Sequence, residues 1–79
     1  MRYFFDIHDG RALTLDRVGI ECATLEELRV TAIDGLPDLA RDEMPNGDDT
    51  RMSVKVRDVD GNYLFEASLT LSVKWVLDM

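Results

Sequence analysis

Seventy-nine residues, 46% hydrophobic and 32% charged, with nine basic residues against sixteen acidic and a formal charge of −7, describe a globular chain, since there is enough Leu, Val, Ile and Phe to offset the entropy of ordering it. That charge opposes binding to nucleic acid, no window approaches the roughly 18 apolar residues of a membrane-spanning helix, and one cysteine with one histidine builds neither an internal disulfide nor a structural zinc site. At this length folding buries only about 60 to 65% of the surface that the unfolded chain exposes, so a partner subunit is expected to add stability.

Tyr3, Phe5 and Ile7 alternate with Phe4, Asp6 and His8, which predicts a first strand that Asp9 and Gly10 close. It begins almost at Met1, so the opening residues read as strand and no leader is expected. Leu13 and Leu15 share a face and place a weaker second strand over residues 12–16. Residues 16–19 then read as a turn and residues 20–22 as extended chain.

Thr24, Leu25, Glu26 and Glu27 form a capping box, in which the Thr24 hydroxyl accepts from the Glu27 amide and the Glu27 carboxylate reaches back to the Thr24 amide. Glu26 and Glu27 also suit the positive end of the helix dipole. Leu25, Leu28, Ala32, Leu36, Leu39 and Ala40 make the apolar stripe of the helix that follows, and Glu26, Arg29, Asp34, Asp38, Arg41 and Asp42 its solvated face. Gly35 and Pro37 interrupt it, because Pro37 lacks an amide donor and crowds the Ile33 carbonyl; a kink is expected, with Pro37 opening a second helical segment. Residues 44–49 read as the terminating loop.

Met52, Val54 and Val56 alternate with Ser53, Lys55 and Arg57 in a third strand, and residues 58–62 form a hairpin loop with Gly61 supplying a positive φ. From Tyr63 to Trp75 every second residue is apolar, which predicts one long fourth strand over residues 63–76 with an oily and a wet face. The fold expected is therefore α+β, two layers deep: a four-stranded, mainly antiparallel sheet in the order strand, strand, helix, strand, strand, with one kinked helix on one face. All 79 residues read as one domain. Its core would join Tyr3, Phe5, Ile7, Leu13, Met52, Val54, Val56, Phe65, Leu69 and Leu71 to Leu25, Leu28, Ala32, Leu36 and Leu39.

No catalytic, metal or nucleotide motif emerges, and no cofactor is expected. His8 is of the one side-chain type that changes charge near neutral pH, and Asp6 and Asp9 flank it, but no nucleophile accompanies it. Cys22 precedes the Thr24 cap by two residues, yet Glu21, Glu26 and Glu27 surround it with negative charge, and it reads as a small buried hydrophobe. Asp58, Asp60 and Gly61 imitate half a calcium loop, but aligning Gly61 with the central glycine of such a loop puts Val56 at its first ligand position and Ala67 where a bidentate Glu belongs. The surface of most interest is the outward sheet face, where Arg2, Lys55, Arg57 and Lys74 would gather beside Phe4 and Leu64, with Trp75 at the end of the last strand. Because Asp6 and Glu66 share this face, cross-strand ion pairs or contact with an acidic protein partner outrank single-stranded RNA.

Arg2, Tyr3, Phe4, Phe5 and Asp6, then Asp9 and Gly10, Asp16, Gly19 and Glu21, residues 40–43, and finally Val56, Arg57, Asp58 and Gly61 resemble a group of short bacterial proteins, common in rhizobia and related alphaproteobacteria, classed as a domain of unknown function. The resemblance covers nearly the whole chain. It implies a cytoplasmic bacterial protein and carries no catalytic residues across. The function expected is a protein-binding or regulatory module acting as a homodimer, with an unidentified protein partner, no nucleic acid and no membrane. The alternatives are an antitoxin-like or nucleic-acid-linked regulator, by fold analogy, and an enzyme using His8 and nearby carboxylates in a pocket at a subunit interface.

Overall fold

A computed structural model describes residues 1–43 and 49–77. Along the chain come β1 (Arg2–His8), β2 (Leu13–Thr14), β3 (Ile20–Glu21), α1 (Leu25–Glu43), β4 (Asp49–Arg57) and β5 (Tyr63–Ser72). The sheet runs β2-β1-β4-β5 with every pairing antiparallel, and β3 also pairs with β1. Between the Ile7↔Thr14 and Tyr3↔Ile20 pairs, three residues of β1 are matched by five of the returning chain. The surplus leaves residues 15–19 as a loop against β1 rather than a continuous strand.

Alternation along the strands sends Tyr3, Phe5 and Ile7, with Met52, Val54 and Val56, toward α1, whose Leu28, Ala32 and Leu36 meet them; Cys22, Phe65, Ala67 and Leu71 complete this layer. Fully burying an aliphatic side chain contributes about 1.5 to 3 kcal/mol, and Leu28, Met52, Val54 and Val56 are each at most 2% exposed. The α+β class, the antiparallel sheet and the single helix are as the periodicity predicts. Cys22 lies in the core, as its composition-level reading requires.

Several boundaries differ. Three strands precede the helix instead of two, because the extended run before Thr24 pairs with the start of β1. The second strand shrinks to Leu13–Thr14: Leu13 and Leu15 are both about half exposed and gain no burial that would hold a longer strand. Leu25 and Leu69 also lie outside the buried core. Helix α1 is one element with Pro37 inside it; Leu36 and Leu39, on either side of that proline, both pack on the core and keep the stripe in phase.

Its cap forms with one change of partner. The Glu27 amide donates to Thr24 Oγ1 at 3.1 Å, while the Glu27 carboxylate accepts from the Ala23 amide at 2.6 Å rather than from Thr24. The loop expected over residues 44–49 lies outside the described residues except for Asp49, which opens β4.

β5, expected to run to residue 76, ends at Ser72, because its last partner in β4 is Asp49; residues 73–77 have no regular structure and stand exposed. At its start, Val56 pairs with Phe65 but Arg57 pairs with Tyr63. Leu64 is thus an extra residue, a bulge of the kind that re-aims neighbouring side chains. This single irregularity moves Tyr63 out of the oily alternation and onto the face that α1 leaves uncovered.

Candidate functional site

The uncovered face of the sheet is a grid. β1 contributes Phe4, Asp6 and His8; β4 contributes Arg57, Lys55, Ser53 and Arg51 opposite them; β5 contributes Tyr63, Glu66, Ser68 and Thr70 beyond. Two regions of the grid differ in chemistry.

At one end the polar groups satisfy one another. Asp6 is fully buried, and its carboxylate accepts from Arg57 Nε at 2.9 Å, from the Tyr63 hydroxyl at 2.6 Å and from the Asp16 amide at 2.9 Å. A second Arg57 nitrogen donates to the Asp16 carbonyl at 2.8 Å, and the guanidinium lies 4.6 Å from the centre of the Phe4 ring, within cation–π range. The Asp16 carboxylate accepts from the Phe5, Val18 and Gly19 amides, tying the 15–19 loop to β1. Gly19 is required there: its φ is +81°, and a Cβ would come within 2.8 Å of the Arg2 side chain.

Burial alone would push the Asp6 carboxyl up, but its bonds to Arg57, Tyr63 and the Asp16 amide outweigh that and hold it below the ordinary value. Asp16 follows the same pattern, burial being outweighed by the Gly19, Val18 and Phe5 amides. The bond to Asp6 raises Arg57 and, with burial, Tyr63. Both carboxylates are therefore ionised anchors. They hold the 15–19 loop, β1, the end of β4 and the start of β5 together.

The other end is open. A groove of about 500 Å³ runs over the sheet, lined by His8, Gly10, Leu13, Arg51, Ser53, Lys55, Tyr63 and Glu66. The His8 Nδ1 accepts from the Gly10 amide at 3.2 Å, which leaves Nε2 as the nitrogen facing outward. Lys55 lies 3.9 Å from Glu66 and 5.9 Å from the centre of the Tyr63 ring. Ser53, cross-strand partner of both His8 and Ser68, is only 8% exposed.

The interaction surface expected from the sequence divides between these regions and the chain end. Phe4 and Arg57 belong to the anchored network, and Arg2 sits beside it, 3.5 Å from Glu21 and donating to the Val18 carbonyl at 2.7 Å. Lys55 lines the groove. Lys74 and Trp75 fall beyond Ser72, off the sheet, so they do not join the others in one patch. Ser53 lies on this face as the alternation predicts, whereas Arg51 and Tyr63 were missed as members of it. Arg51 continues the alternation of Lys55 and Ser53 one step back along β4, and only the late start assigned to that strand hid it. Tyr63 carried no signal, since the bulge that turns it lies in the pairing.

His8 has no nucleophile beside it, and Cys22 is buried away from it among core side chains. The residues around Asp58 form the hairpin turn: its carboxylate accepts from the Asp60 and Asn62 amides, and Gly61 has φ +90°. Among the described residues no cluster of three metal-ligating side chains forms, and no helix is long and apolar enough to cross a membrane.

A family model described as a domain of unknown function (DUF6894) matches residues 2–70, and the chain belongs to that family. The match takes in every described strand and the whole helix, the last two residues of β5 excepted. No curated protein and no solved structure gives a significant match.

Proposed function

We propose that this chain is a protein-binding module that self-associates, forming a homodimer through the free edge of β5. The observation that carries the reading is that edge. β5 is ten residues long and lies at the end of the sheet order, so among the described residues one whole row of its backbone groups has no strand partner. Natural edge strands are guarded by Lys, Pro, shortness or a covering element; β5 has neither Lys nor Pro, and Glu66 is its only charged residue.

The surroundings support the same reading. Val73, Trp75, Val76 and Leu77 continue from the edge and are between 48% and 87% exposed, more contiguous apolar surface than a small monomer normally leaves open. Pairing of β5 with its copy about a two-fold axis satisfies both rows of backbone groups at once. Such a module acts in the bacterial cytoplasm in this reading, in keeping with the rhizobial-type resemblance of its opening residues. An acidic protein remains the partner suited to the cationic groups of the outer face.

Light scattering at tens of micromolar tests it. The expected mass is twice the 9.0 kDa of one chain, falling toward one chain in Trp75→Lys and Leu69→Lys with unchanged far-UV circular dichroism. A wild-type mass of one chain refutes the dimer.

A further inference from the structure

We infer, resting on the β5-edge dimer proposed above, that residues 73–77 of one copy extend its β5 along the β5 edge of a second copy and lay Val73, Trp75 and Leu77 in that copy's groove between α1 and β5. Phe65, Ala67 and Leu71 face the α1 side of β5, and Val73, Trp75 and Leu77 continue the same alternation. β5 ends where its partners in β4 end, at Asp49. Val73 is still in line with it, its amide donating to the Asp49 carboxylate at 3.3 Å. What the tail lacks is a neighbouring strand, and the open edge of another β5 supplies one.

The groove fits such an occupant. It holds about 500 Å³, with Ile33, Leu36 and Pro37 on the helix wall and Phe65, Ala67 and Leu69 on the strand wall. Ile33 and Leu69 remain 38% and 39% exposed, so α1 and β5 do not bury these walls between them. Because the strand wall is the edge strand itself, a strand added there closes the groove from the side.

The alternation also sets the register. Odd-numbered residues must lie opposite odd-numbered ones, since a slip by one residue would turn Trp75 to the other face. A two-fold axis at Leu71 meets that condition and sets Val73 opposite Leu69, Trp75 opposite Ala67 and Leu77 opposite Phe65 of the second copy. The largest side chain of the tail, 87% exposed in one chain, then stands across from the smallest apolar residue of the groove, which leaves it room. On the other face Lys74 comes diagonal to Glu66, the only charged residue of β5, on the side away from Lys55. The tail does not reach the groove of its own chain. Trp75 lies three residues past Ser72, about 10 Å of extended chain, whereas Ala67 lies five residues, about 17 Å, the opposite way. Residues 73–77 contain no Gly, Pro or Asn to make the reversal.

Fluorescence and cross-linking of the full chain test the docking separately from the dimer. Trp75 is the only tryptophan, so its emission should be blue-shifted where light scattering gives a mass of two chains, and move to the red as dilution separates them. Leu69→Cys mixed with Val73→Cys should give a disulfide-linked dimer under mild oxidation. Neither variant should do so alone, because like thiols would then stand four residues, about 13 Å, apart along the pairing. Both positions are exposed, so the fold is kept, and Cys22 is buried in the core, so it does not compete. Trp75→Ala should raise the dimer dissociation constant at least about tenfold with unchanged circular dichroism. A mass of two chains with the emission of a solvated tryptophan, or with cross-linking of Leu69→Cys alone, keeps the dimer and overturns this docking. A mass of one chain with blue-shifted emission places the tail on its own chain and overturns both; a mass of one chain with solvated emission removes the dimer and the docking with it.

Discussion

Asp6 shows what a single residue can do when burial and hydrogen bonding oppose each other. A lone buried carboxylate would be strongly unfavourable, but this one has three donors, one of them a guanidinium, and among the described residues no buried side-chain polar atom is left without a partner. Its folded-state value is held below the ordinary 3.8. A group lowered in this way contributes its full stability above the unfolded value and loses it as the pH falls through the folded one. Asp6→Asn should therefore destabilise the protein at neutral pH by about 2 to 4 kcal/mol, and the gap to wild type should narrow steadily below about pH 4. Denaturation midpoints across that range check it. A gap that does not change with pH would mean that the charge on Asp6 does not matter. The variant should keep some acid sensitivity, since Asp16 is lowered as well.

At the scale of elements, α1 rests on its first turn. Thr24 Oγ1 satisfies the Glu27 amide, one of those that a helix start leaves without a partner, and the Glu27 carboxylate accepts from the Ala23 amide just ahead of the cap. Thr24→Ala should cost about 1 kcal/mol, read as a lower midpoint with an unchanged m-value in chemical denaturation; an unchanged midpoint would mean that the cap contributes nothing. The cap, the helix stripe and the three long strands were all legible in the sequence, because each is a local pattern of period 3.6 or 2 or a fixed spacing. What was not legible arises between segments. Leu64 becomes a bulge only because Arg57 pairs with Tyr63, and Tyr63 reaches Asp6 only because of that bulge. Ile20 and Glu21 form a strand only because the returning chain comes to lie beside the start of β1. The candidate site followed suit: Lys55 and Ser53 could be read from alternation, whereas their placement beside His8 and Glu66 depends on three strands lying side by side.

The molecule as a whole is elongated, 56 × 23 × 19 Å with a radius of gyration of 14.8 Å, where about 12 Å is usual for a compact chain of this length. Its strands differ in how fully they are paired, which sets a gradient of stability. β4 is paired on both sides and carries Met52, Val54 and Val56, whereas β2 and β3 are two residues each and exposed. Amide exchange should accordingly be slowest along residues 52–56, intermediate in β1, and fastest at Leu13, Thr14, Ile20 and Glu21, where local opening exposes little apolar surface. The edge strand should stand apart from this order. In a single chain, the amides of β5 that point away from β4 face water and exchange early at any concentration. In the dimer they are paired, so their protection should rise with protein concentration while that of residues 52–56 changes far less. Exchange followed by mass spectrometry or NMR over a hundredfold dilution distinguishes the cases: protection in residues 63–72 that does not depend on concentration, with outward amides exchanging as freely as those of β2, would leave β5 an open edge and remove the basis of the homodimer.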